Sequence, residues 1–101
     1  MAQEFRDAVS VAPDVYKVLF ENDKVRVLEV RVAPGGSTEM HWHPEYLVYT
    51  FTQTDMKFTQ PDGTAEDVSI PPNMLTPLLE GPHKAENVGS GEVHGLMVEL
   101  K

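Results

Sequence analysis

The sequence predicts an all-β fold, a small antiparallel sandwich or barrel, on three observations. Eight Pro and seven Gly among 101 residues cut the chain into pieces too short for a helix bundle. Short apolar runs alternate with turn chemistry almost to the last residue, which gives roughly eight to ten strands. Residues 25–32 (VRVLEVRV) alternate with a period of two, the pattern of a half-buried strand, and Leu28, Val30 and Val32 form the inward set.

The elements follow in chain order. Residues 3–9 read as one or two helical turns or as an arm, and residues 15–20 (VYKVLF) as the first strand. Residues 21–24 (ENDK) carry the Asn and Asp of a tight turn before the second strand. Residues 33–37 (APGGS) end that strand, and residues 39–51 (EMHWHPEYLVYTF) resume the sheet. Pro44 forces a bend there, because it has no N–H to give a ladder. The Asp-Gly of residues 60–64 (QPDGT) links strands 56–59 and 65–70 as a hairpin. Residues 70–73 (IPPN) break the chain again, with Asn73 suited to a left-handed conformation. Strands at 74–79, 83–88 and 93–100 complete the count, separated by Gly81-Pro82 and by Gly-Ser-Gly. The domain reading is an N-terminal arm over 1–14 and one barrel domain over 15–101.

Composition removes several classes of function. With no Cys, disulfide scaffolds, thiolate chemistry, Cys-type zinc sites and iron–sulfur clusters are all excluded. A metal would have to be held by His, carboxylate or backbone oxygen. The net charge of −8 and the scattered Lys and Arg argue against nucleic acid and against an anionic membrane surface. No apolar run reaches the roughly 20 residues of a membrane span, and the first residues lack a signal-peptide core, so a cytoplasmic location is expected.

The chemistry lies in the histidines. His41 and His43 are two apart on a strand, so their rings face one side about 7 Å apart along the strand, which suits two ligands of one metal ion. The plain alternative is a solvent-facing pair. Two features weigh against it: both share parity with the core-like Leu47, Tyr49 and Phe51, and the flanking Pro-Gly-Gly and Pro look like backbone shaped around a site. A third ligand has to come from another strand.

Two motifs extend this. Residues 36–49 read G-x4-H-x-H-P-x2-L-V-Y, and residues 81–87 read G-P-H-K-A-E-N. In this order, separated by a hairpin, they resemble the two motifs of the cupins. The resemblance runs from about residue 34 to 100. It implies a double-stranded β-helix jelly roll with one divalent metal in its mouth, held by His41, His43 and His83. Cupins usually add a Glu three or four residues after the second His, and here those positions are Tyr46 and Leu47. Glu45 is a candidate extra ligand if Pro44 turns it inward. The chain is more similar to the three-histidine cupin dioxygenases that cleave β-diketones, which implies Fe(II), with Zn, Ni or Mn as alternatives. Three neutral imidazoles leave a divalent ion uncompensated, which favours an anionic or enolisable small-molecule substrate.

Other residues have supporting readings. Glu39, Glu45 and Glu86 are candidates to accept the second ring N–H of the ligand histidines. Tyr49 and Phe51 line the pocket or pack as core. Trp42 faces away from the site beside strand 25–32, where it would anchor a homodimer. Asn87 satisfies turn backbone near Gly89, and His94 is a surface or hydrogen-bonded histidine. Beside dioxygenase chemistry stand a Zn, Ni or Mn cupin with isomerase, lyase or hydrolytic activity, and a non-catalytic small-molecule-binding cupin.

Overall fold

The turn residues named above divide the chain into nine strands in the computed structural model, which describes residues 6–101. They are β1 (Tyr16–Glu21), β2 (Val25–Val32), β3 (His41–His43), β4 (Tyr46–Thr50), β5 (Thr54–Thr59), β6 (Ala65–Ile70), β7 (Met74–Leu78), β8 (Gly81–Asn87) and β9 (Val93–Leu100). One short helix, α1 (Ala8–Val11), precedes them. Asp7 caps it by accepting the Val9 N–H. Of the helical turn read over residues 3–9, residues 3–5 lie outside the described residues. Ala8 and Ala12 are buried against the barrel, so this segment is part of the core packing.

All strand pairs are antiparallel and form two sheets, β1-β2-β9-β4-β7 and β3-β8-β5-β6. The chain passes from the second sheet to the first at Pro44 and Glu45, between β3 and β4. The loops behave as the turn chemistry requires. Gly63, in the Asp-Gly turn between β5 and β6, has φ +90°, and Asn73 has φ 60°. Pro77 sits on β7, an edge strand of its sheet, where a missing N–H is tolerated.

The core lies between the sheets. Leu28, Val30 and Val32 of β2 face it, as their alternation indicates, together with Tyr46, Met56, Ala85, Val93 and Met97. The five-stranded sheet is also apolar on its outer face, where Val27, Leu47, Tyr49, Leu96 and Val98 stand in register, all half-buried. No helix among the described residues is long and apolar enough to cross a membrane.

Candidate metal centre

Strand register builds the site. β3 and β8 pair so that His83 lies directly opposite His41, and Gly81 opposite His43. The alternation of β3 sends His41 and His43 inward, where both are fully buried, while Trp42 points the other way. The three rings converge with centroids 4.7 to 5.1 Å apart. One ring nitrogen from each histidine lies within 4.8 Å of the others.

The hydrogen bonds fix which nitrogens point at the centre. His41 Nδ1 donates to the Glu39 carbonyl at 2.8 Å, and His43 Nδ1 donates to Glu99 Oε2 at 2.9 Å. Both Nε2 atoms are then lone-pair acceptors, yet they stand only 3.0 Å apart. Two lone pairs cannot face each other at that distance unless a proton or a metal ion lies between them. Adjacent nitrogens bound at 2.0–2.1 Å and a right angle would be about 3 Å apart. Among the described residues, His83 Nε2 is buried with no hydrogen-bond partner. A buried nitrogen left without a partner is costly, and a metal ion would satisfy it. The donor set therefore fits a divalent metal.

Electrostatics point the same way. Burial, then the charge of His43, pulls His41 down to about 4. Burial, then the charges of His43 and His41, pulls His83 down to about 3. Both rings are thus neutral, the form that ligates metal, far below pH 7. Behind His43 runs a chain of charge. Glu99 is buried and also accepts from Arg26 Nε at 2.7 Å, and Arg26 grips both oxygens of Asp7 at 2.7 and 3.0 Å. Burial pushes the Asp7 carboxyl up, but hydrogen bonding and charge from Arg26 outweigh this and hold it below the usual value.

Two tyrosines complete the surroundings. Tyr16 Oη lies 3.2 Å from His41 Nε2, and its ring meets both His41 and His43 edge-on. Burial first, then the nearby Tyr46 and Glu99, raises the Tyr16 phenol and keeps it protonated. Tyr46 packs beside His43, and Phe58 stacks on His83 at 4.6 Å. An apolar cavity of about 50 Å³ adjoins His43 and His83. A cleft of about 490 Å³ shares Tyr46, Phe58, Val68, Leu78 and His83 with it. Among the described residues, the polar side chains that line this cleft, apart from Tyr46 and His83, are Gln60, Glu66 and Glu80, with no Lys or Arg.

The candidate residues read from the sequence divide accordingly. His41, His43 and His83 come together. Glu45 does not join them: it is exposed at the sheet crossing, where its carbonyl accepts the Leu100 N–H. Glu39 orients His41 through its backbone carbonyl and not its carboxylate, and Glu86 is exposed. Tyr49 and Phe51 lie outside the pocket lining. The cause is the crossing at Pro44 and Glu45, which shifts the inward parity from odd in β3 to even in β4, so Tyr46, Val48 and Thr50 face in. Trp42 is half-buried, and its backbone N–H donates to the Arg6 carbonyl. Asn87 binds the Val32 and Gly91 carbonyls and the Gly89 N–H, the turn role read for it. His94 bonds Glu29 on the outer face of the five-stranded sheet.

Sequence reasoning missed Tyr16, Tyr46 and Glu99. The signal for Glu99 was a lone carboxylate in the apolar run of residues 93–100, and it was masked because Leu96, Val98 and Leu100 make the opposite face look like the core. Tyr16 opens the first strand and carries no local mark.

No family model matches the sequence, and no curated protein matches it. Solved structures do. A cupin domain from Bordetella pertussis Tohama I is 24% identical over 99% of both chains, with a TM-score of 0.77. A double-stranded β-helix domain protein from Klebsiella pneumoniae is 18% identical over 85% of this chain and 75% of its own, with a TM-score of 0.66. The polyketide cyclase RemF from Streptomyces resistomycificus is 26% identical over 84% of this chain but only 63% of its own, with a TM-score of 0.60. The fold is therefore the double-stranded β-helix jelly roll of cupin domains, with a three-histidine cluster set between its two sheets.

Proposed function

We propose that this protein is a metal-dependent enzyme, a non-haem Fe(II) dioxygenase that cleaves a small enolisable 1,3-dicarbonyl compound. The observation that carries the metal reading is the pair of Nε2 acceptors at 3.0 Å beside the unpartnered Nε2 of His83. His41, His43 and His83 would hold the ion. When bound, it would supply Lewis acidity toward an enolisable C–H and electrons toward O2. The balanced reaction takes one diketone and one O2 to a carboxylic acid and a 1,2-dicarbonyl.

The chain's own residues have separate tasks in this reading. Glu99 and the Glu39 carbonyl hold the imidazoles with their Nε2 atoms inward. The apolar interior excludes water, and Phe58 backs His83 at the mouth. The acidic cleft refines the substrate. Glu66 and Glu80, with no Lys or Arg among the described residues that line the cleft, disfavour a carboxylate that arrives already charged. A neutral compound that ionises only inside the site is the better fit.

A second reading is a redox-neutral Zn, Ni or Mn enzyme. The likeness to a polyketide cyclase supports it, through fold alone over part of that protein. Oxygen uptake separates the two. After anaerobic reconstitution with Fe(II), adding acetylacetone and O2 should give uptake in equal amount to diketone consumed. No uptake with any member of a panel of 1,3-dicarbonyls removes the dioxygenase reading.

A further inference from the structure

We infer that Tyr16 is the hydrogen-bond donor that selects an oxygen-donor ligand at the centre, an inference that rests on the metal reading above. Tyr16 is the first residue of β1, and its position is set from both sides. Its N–H bonds the Ala12 carbonyl at the end of α1, and its register partner is Val30 of β2. Its side chain is buried, and the hydroxyl reaches the Nε2 of His41.

That contact uses the lone pair a metal ion would take. His41 Nδ1 carries the ring proton to the Glu39 carbonyl, so Nε2 offers one lone pair only. Once a cation occupies it, the Tyr16 hydroxyl needs another acceptor. The cavity is lined by Val30, Val32, Met56, Val93 and Met97, and among the described residues its polar members, His43, Tyr46, Thr50 and Thr54 among them, make no hydrogen bond to the Tyr16 hydroxyl, whose bond is to His41. A buried hydroxyl without an acceptor is unfavourable, so the site prefers a ligand that brings one. A carbonyl, enolate or carboxylate oxygen beside His41 does so. A nitrogen ligand whose only nearby lone pair is spent on the metal does not.

The test uses Co(II) as the metal and acetylacetone and imidazole as probes, read in the visible spectrum. Tyr16→Phe should raise the Kd for acetylacetone about 5-fold to 10-fold, the effect of one hydrogen bond. The affinity for Co(II), measured by equilibrium dialysis, should not fall, since the phenol must give up His41 Nε2 when the ion binds, and the Kd for imidazole should change less than about twofold, since imidazole offers the phenol no acceptor. An unchanged acetylacetone Kd overturns the inference. So does equal weakening of all three, which marks a structural role. A phenolate charge-transfer band in the Fe(III) form that vanishes in Tyr16→Phe overturns it in favour of Tyr16 as a ligand. If the wild-type protein takes up no Co(II), the metal reading itself fails, an outcome distinct from a loaded protein indifferent to Tyr16→Phe. Should the variant not fold, the ultraviolet resonance Raman tyrosine doublet of the wild-type Co(II) protein reads the same bond. A shift toward a donating phenol on adding acetylacetone, and none on adding imidazole, supports the inference, and no shift with either overturns it.

Discussion

The four-stranded sheet carries the imidazoles, and the five-stranded sheet carries the side chains that reach across the core to His41 and His43. His41, His43 and His83 project from β3 and β8, while Tyr16, Tyr46 and Glu99 project from β1, β4 and β9. The difference is one of redundancy. A ligand histidine needs only its own lone pair and its own strand. An orienting group works across the core, so both sheets must pack in one register for it to reach its partner. The ligand sheet should therefore tolerate no substitution at its three rings, whereas the orienting sheet should give graded losses.

The largest effect tests the ligand sheet. His83→Ala removes the ring opposite His41 and leaves two imidazoles. Metal content after gel filtration should fall from one ion per chain to near zero, with the β-sheet circular dichroism unchanged. Two neutral imidazoles make a poor site for most divalent ions. Stoichiometric metal retained by this variant would show that the His41 and His43 pair suffices and that β8 is not part of the centre.

An intermediate effect tests the orienting sheet. Glu99→Gln keeps the shape but gives the carboxylate's two donors, His43 Nδ1–H and Arg26 Nε–H, a side chain with one acceptor oxygen. Metal affinity should fall about 10-fold to 100-fold, and the metal-free protein should also melt lower. Glu39→Gln is the matched control, because Glu39 acts through its backbone carbonyl, and its affinity should not move. Equal losses in the two variants would mean that overall charge, and not the bond to His43, sets the affinity.

The same division explains what the sequence made visible. In β3 and β8 the chemistry is local: His-x-His has one geometry on a strand, and the turn residues Gly81 and Asn87 frame the third ring. The strand count, the hairpin at Asp62-Gly63 and the inward set of β2 were legible for the same reason, since turn chemistry and alternation are local. In β4 and β9 both faces are apolar, so alternation gives no sign of which one faces in. Leu96 and Val98 look like core and lie outside, while Glu99 looks exposed and is buried. Parity could not be carried from His43 to Phe51, because the crossing between sheets at Pro44 and Glu45 resets it.

The smallest effect sharpens that last point. Phe51 is 39% exposed, and its ring meets Tyr49 at 5.7 Å and His94 at 5.0 Å on the outer face. Phe51→Ser removes these edge contacts and little else, so stability in urea should drop by about 1 kcal/mol, the scale of an aromatic pair. Metal affinity and acetylacetone binding should stay within about twofold of the wild type, since no bond to an orienting group is lost. Val48→Ser, two residues beyond Tyr46 on the inward parity of β4, lines the cavity and should cost more stability while weakening acetylacetone binding. Reversed results, with Phe51→Ser disturbing the centre and Val48→Ser leaving it intact, would place β4 in the opposite register. That register would in turn separate Tyr46 from His43 and leave the orienting sheet with Tyr16 and Glu99 alone.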